Sequence, residues 1–265
     1  MSAGEGAYRR RRILGMDYFQ SRVGFDGASL TAYRFPCQIS EKTGPDFVLV
    51  HGIGVSSRSY APTAAMLAQK GEVHLLDLAG YGNSPRPDRD MTIADHAELV
   101  ARYLEQKGLD HPVVVGHSMG TQVVVELAAR RPELIDHAVM IAPVMAPDAR
   151  APLRAARLLL KDGLREPPVV TFLSFNDYIF RAGIPYMIQQ TPHLLNARIE
   201  ERLGQISAKT LVICGERDPV VPIAWGQELA DSLEHGWFAV VPGPHGAMFA
   251  APGTISALID EHAGR

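Results

Sequence analysis

Ser118 stands in a setting that makes a serine reactive. Val113-Val114-Val115-Gly116-His117-Ser118-Met119-Gly120 opens with β-branched apolar residues, which read as a buried strand. Thr121 to Arg130 has the length and composition of a helix. A chain that passes from strand to helix within one residue crowds its own backbone, so Gly116 and Gly120 fall where a Cβ would clash. Ser118 is left at the apex, strained, with its hydroxyl presented above the sheet.

A serine hydroxyl is a poor nucleophile until a base takes its proton, and a third group must orient that base. Of the ten histidines, His245 is best placed, in the glycine- and proline-rich Pro242-Gly243-Pro244-His245-Gly246 after the last strand-like run. His117 neighbours the serine but is expected to point away across the turn and to pack or bond locally. The orienting acid is assigned to Asp218, in Gly215-Glu216-Arg217-Asp218-Pro219, with Glu216 as its local competitor and a helix N-cap as its duller role. Acyl transfer also needs N–H groups aimed at the developing oxyanion. The expected donors are the backbone amides of Met119 and of Ile53, the latter in His51-Gly52-Ile53-Gly54.

The elements that must position these groups alternate. Strands are expected at 14–19 and 29–36, joined through Asp26-Gly27, then at 47–50, 73–76, 113–115, 135–142, 210–214 and 237–241. Helices fall at 58–70, from Thr92 to the Gly108 stop, at 121–130, 223–233 and 255–262. Such alternation implies an α/β fold: a mostly parallel, eight-stranded sheet with helices on both faces and its site at the carboxyl ends of the strands. Between 144 and 207 the rhythm changes to short helical pieces broken by prolines and glycines, which reads as an insertion. The core is then 1–143 with 208–265. Residues 1–13, with Arg9-Arg10-Arg11-Arg12, are expected to form a flexible tail without the apolar region of a signal peptide.

Five motifs carry a resemblance: His51-Gly52-x-Gly54, Asp77-x-x-Gly80-x-Gly82-x-Ser84, Gly116-His117-Ser118-Met119-Gly120, Gly215-Glu216-x-Asp218-x-Val220-x-Pro222 and Gly243-x-His245. Together they are similar to the α/β-hydrolase fold family over about residues 20 to 262. The resemblance implies a catalytic triad in the order Ser118, Asp218, His245, and a helical lid at 144–207. A serine at the elbow departs from the aspartate of haloalkane dehalogenases and most epoxide hydrolases. The loop at Gly52 is neither the triple-glycine form of many lipases nor the Gly-Pro-Gly form of meta-cleavage hydrolases. Carboxylesterases, lactonases and cofactor-free perhydrolases are the nearest implied kin. The implied activity is hydrolysis of a carboxylic ester or lactone. A C–C bond hydrolase, a perhydrolase, an acyltransferase and a non-catalytic ligand receptor stand as alternatives.

The insertion concentrates Phe172, Phe175, Tyr178, Phe180, Tyr186 and Met187, expected to line a covered apolar substrate pocket with Met248 and Phe249. Its arginines, among them Arg150 and Arg165, are expected to face solvent. A net charge of −3 gives no footprint for nucleic acid. No apolar run is long enough for a membrane helix, and the two cysteines, Cys37 and Cys214, read as reduced thiols of a cytoplasmic protein. The expected partner is a small-molecule substrate, with no membrane, metal or cofactor.

Overall fold

The computed structural model describes residues 9–13, 16–39, 42–166 and 168–265. Its strands are β1 (Arg9–Ile13), β2 (Met16–Phe25), β3 (Ala28–Phe35), β4 (Phe47–Val50), β5 (Val73–Asp77), β6 (Val113–His117), β7 (His137–Ile141), β8 (Lys209–Gly215) and β9 (Gly236–Val241). The helices are α1 (Ala61–Leu67), α2 (Ile93–Lys107), α3 (Met119–Arg130), α4 (Pro152–Gly163), α5 (Pro168–Asn176), α6 (Ile184–Asn196), α7 (Ile223–Asp231), α8 (Ala247–Ala250) and α9 (Pro252–Ala263).

All nine strands form one sheet in the order β1-β2-β3-β5-β4-β6-β7-β8-β9. Strands β4 to β9 pair in parallel, while β1, β2 and β3 join antiparallel at one edge. The eight expected strands are β2 to β9. The ninth corrects the expectation of a flexible tail: Arg9–Ile13 pairs with Met16–Gln20 as an edge strand, because a ladder needs only backbone groups and tolerates charged residues at a sheet edge. Residues 1–8 of that expected tail, and residues 14 and 15 of the first expected strand, lie outside the described residues. Asp26 and Gly27 close the β2–β3 hairpin with φ of 49° and 72°, the mirror-image turn that matches strand twist.

Side-chain alternation divides the core between the two faces of the sheet. Val48 and Val50 of β4, Val114 of β6 and Met140 of β7 join a cluster with residues of α2, α3 and α7. Their neighbours Phe47, Leu49, Val115 and Ile141 join a second cluster with α1, α8 and α9. A strand buried on both faces has no polar side to show, which is why β4 reads Phe-Val-Leu-Val. Helix α2 carries both expected end signals: Thr92 and Asp95 form a capping box, and Gly108 ends the helix at φ 60°.

Between β7 and β8 the chain leaves the sheet for α4, α5, a wide helical turn at Asp177–Ala182, and α6. The described residues of this stretch contain no strand. Both cysteines are unpaired; Cys214 is buried, and burial, with the charge of Asp218, pushes its thiol up to about 12.

Candidate active site

The turn from β6 into α3 fixes Ser118 at φ 52° and ψ −119°, a region that side chains other than glycine's rarely enter. Its neighbours enforce it. A Cβ on Gly116 would run into the carbonyl of Gly120, and one on Gly120 into the carbonyl of Val50 in β4. The Ser118 amide donates to Ile141 O at 3.1 Å, and its carbonyl accepts from Thr121 Oγ1 at 2.6 Å. Ser118 is nearly buried.

Sheet order then decides what surrounds the serine. Because β4 pairs directly with β6, the loop after β4 lies against the turn: a Cβ on Gly52 would sit 3.0 Å from Ser118 Cβ. His51 holds this loop, donating from Nδ1 to Gly52 O at 2.7 Å and accepting the Leu78 amide at Nε2 at 3.0 Å. Burial keeps His51 neutral by lowering its pKa. Met119 opens α3, so its amide is among the first-turn N–H groups that a helix leaves without an internal acceptor. Ile53 lies one residue past Gly52 on the facing loop.

Strands are spaced about 4.8 Å apart, so β8 and β9 end roughly 10 and 14 Å along the sheet from β6. The loops after them must reach back. They do so bound to each other, Glu216 N donating to Val241 O at 2.8 Å and Arg217 N to Gly243 O at 3.0 Å. Asp218 Oδ1 accepts the amides of Val220 at 2.7 Å and Val221 at 3.1 Å, which turns Oδ2 towards His245. His245 Nδ1 donates to that Oδ2 at 2.8 Å, with the Asp218 side chain fully buried. Glu216 instead pairs with its neighbour Arg217 in solvent.

On its other side, His245 Nε2 is buried and has no hydrogen-bond partner among the described residues. His117 does not bond locally as expected but ties the β6–α3 turn to the loop after β9: its Nε2 donates to His245 O at 3.1 Å, and the rings lie 5.0 Å apart. Burial, then the neighbouring His245, lowers the His117 pKa well below the usual range. For His245 burial also pulls downward, but the charge and hydrogen bond of Asp218, with the charges of Asp162 and Glu166, outweigh it and raise the imidazole to about 9.

The expected pocket residues divide between exposed and buried positions. Phe172, Phe175 and Phe180 are 67%, 60% and 74% exposed, and Tyr178 is also exposed. Asp177, by contrast, is buried; it accepts from Ser56 Oγ at 2.5 Å and pairs with Arg58 and with Arg181 at 3.4 Å. Phe172 and Phe175 are three residues apart on one face of α5, and Asp177 anchors the opposite side, so that aromatic face meets solvent. Tyr178 and Met187 both come close to Gly54, beside Ile53. Tyr186 and Met187 are core residues; Tyr186 donates to Ala79 O at 2.8 Å and packs on Tyr81. Met248 is buried against α1 and α9, and Phe249 is half-buried.

Arg165 faces solvent as expected and donates to Arg217 O at 2.9 Å, whereas Arg150 departs from that expectation in a two-pronged, largely buried pair with Glu200 at 2.8 Å. Sequence reasoning missed Asp162 and Glu166, whose carboxylates accept the backbone amides of His245 and Gly246. Their only trace in the sequence is a pair of acids in a proline-broken helical stretch. Among the described residues no group of three or more His, Cys, Asp or Glu side chains could hold a metal ion, and no helix is long and apolar enough to cross a membrane.

A family model described as alpha/beta hydrolase fold matches residues 45–167. The chain is 30% identical over 217 residues to a pimeloyl-[acyl-carrier protein] methyl ester esterase of Chromobacterium violaceum, covering 72% of this chain and 82% of that one. It is 33% identical over 99 residues to an uncharacterized protein of Mycobacterium tuberculosis, of whose length it spans 29%. Among solved structures, the enol-lactonase of Burkholderia xenovorans superposes with a TM-score of 0.78 at 20% identity, over 92% of this chain and all of that one. A hydrolase of Pseudomonas aeruginosa does so with 0.78 at 22% identity, over 93% and 98%. Sheet order, strand-end loops and these similarities agree: the chain belongs to the α/β-hydrolase fold family.

Proposed function

We propose that the protein is a serine hydrolase that cleaves a carboxylic ester or lactone of a small, largely apolar substrate through an acyl-enzyme. In this reading Ser118 Oγ attacks the acyl carbon. His245 Nε2 takes the serine proton and returns it to the leaving alcohol, while Asp218 holds the imidazole with its proton on Nδ1 and faces the imidazolium as it forms. The amides of Ile53 and Met119 receive the oxyanion. Water then repeats the sequence on the acyl-enzyme, with His245 again the base.

The observation that carries this reading is the His245 ring: Nδ1 bound to Asp218 at 2.8 Å, Nε2 buried and unpartnered, and its loop hydrogen-bonded to the residue beside Ser118. A buried ring nitrogen without a partner is costly in a structural histidine and useful in a base that waits for a hydroxyl. The methyl ester esterase and enol-lactonase names of similar proteins are in keeping with acyl chemistry. Residues 144–207 act as the lid, and unpaired cysteines suit a cytoplasmic location.

The test is hydrolysis of p-nitrophenyl esters of graded acyl length by wild type and by Ser118→Ala. Turnover by the wild type that falls on the order of 10⁴-fold in a folded Ser118→Ala supports the reading. Near-normal turnover in the variant rejects Ser118 as nucleophile.

A further inference from the structure

The end of α4 and the residues just after it touch both loops that carry the proposed acid and base. Asp162 Oδ1 accepts the His245 amide at 3.0 Å, and Glu166 Oε1 accepts the Gly246 amide at 2.6 Å. Arg165, between them, donates to the carbonyl of Arg217, next to Asp218. Asp162 is buried, and Oε2 of Glu166 is buried with no hydrogen-bond partner among the described residues. Two carboxylates buried beside a third are expensive unless something cationic faces them. The group they share is the His245 imidazole.

Resting on the reading of His245 as general base, we propose that Asp162 and Glu166 are positioning residues that pin the His245 loop through its amides and stabilise the imidazolium formed when Ser118 gives up its proton. The charged and titratable groups facing His245 are then Asp218 from the loop after β8, Asp162 and Glu166 from the insertion, with Arg165 acting on Asp162, and the neutral His117 from the β6–α3 turn. Burial raises Asp162 above the usual carboxylate range; burial, then the charge of Asp162, pushes Glu166 up to about 7. The Glu166 charge is therefore present above about pH 7 and lost below it, so its support of the imidazolium fades as the solution is acidified. Because both carboxylates sit on one stretch of the insertion, displacing that stretch removes both from the base together. The insertion thus sets the strength of the base as well as covering the site.

The experiment is an NMR titration of the His245 ring nitrogens in the full-length wild type and in Asp162→Asn, Glu166→Gln and the double variant. Each substitution keeps an oxygen acceptor for the backbone amide and removes a charge. Each is expected to lower the His245 pKa by about half a unit or more, the double variant by more than either. The acid limb of kcat/KM for a small ester should move the same way, with KM within about twofold. Asp162→Ala, which also loses the acceptor, should lower kcat further, and Asp162→Asn should recover part of that loss. An unchanged His245 pKa in the folded Asn and Gln variants overturns the proposal. The titration needs no substrate, so it decides this point even if Ser118-dependent ester turnover fails and takes the functional reading with it.

Discussion

At the scale of the residue, one strained serine and one two-sided histidine carry the proposed chemistry. Asp218 and Glu216 lie two residues apart on the same loop, yet only Asp218 has both oxygens committed, Oδ1 to two amides and Oδ2 to His245. Asp218→Asn should cost about 10³–10⁴-fold in kcat, because an amide in place of Oδ2 favours the wrong imidazole tautomer. Glu216→Gln should change kcat little; steady-state kinetics on both variants checks the assignment, and reversed effects contradict it. The pH profile follows from His245. Only the neutral imidazole can accept the serine proton, and its pKa is raised to about 9. kcat/KM should therefore climb with pH through neutrality and level off only near 9, in a profile measured on a substrate without titratable groups. A plateau reached by pH 6 would show that the free enzyme holds His245 neutral much earlier.

At the scale of the element, the turn between β6 and α3 and the Asp177 anchor make opposite kinds of demand. Gly120 allows no Cβ because α3 starts in contact with β4, so Gly120→Ala should destabilise the fold by about 1–3 kcal/mol, read as a lowered Tm. Asp177 is a buried carboxylate serving Ser56, Arg58 and Arg181; Asp177→Ala takes the acceptor from the buried Ser56 hydroxyl and from two part-exposed guanidinium groups, and should cost about 1–3 kcal/mol or loosen the insertion. Limited proteolysis between 150 and 200 distinguishes the two outcomes. By contrast Phe172→Ala and Phe175→Ala should leave Tm nearly unchanged, because exposed rings lose little burial. These elements also mark how far the sequence could be read. Strand runs such as Phe47–Val50, the Thr92 cap and the Gly108 stop are local signals, and the elements they predict are there. The candidate residues Ser118, Asp218 and His245 stand out in the sequence because each follows a strand in a turn rich in glycine or proline, and the structure sets Asp218 against His245. The burial of Asp177, the grip of Asp162 and Glu166 on the His245 loop and the outward face of α5 were not legible there. They depend on how the insertion lies on the sheet, which no spacing within it encodes. The edge strand at Arg9–Ile13 escaped for another reason: its pairing uses backbone groups, while its side chains advertise a solvated tail.

For the whole molecule, the sheet supplies a row of strand ends, and in the proposed reading the insertion between β7 and β8 acts as the lid that decides what reaches them. Tyr178 and Met187 press close to Gly54, next to the proposed oxyanion donor Ile53, which bounds the room above Ser118. Esters of short-to-medium acyl chains should therefore be preferred over long lipids, each buried methylene adding about 0.8 kcal/mol until the space is filled. Turnover that keeps rising to palmitoyl esters would point to an open groove along the exposed aromatic face instead. The central claim is that the fold activates one serine, and covalent labelling reads it most directly. A serine-directed fluorophosphonate should add one label to the wild-type chain, located by peptide mass at Ser118. The label should be absent in Ser118→Ala and much slower to form in a folded His245→Ala variant. Labelling of Ser118→Ala at the wild-type rate, or a wild type that stays unlabelled while folded, would contradict the account.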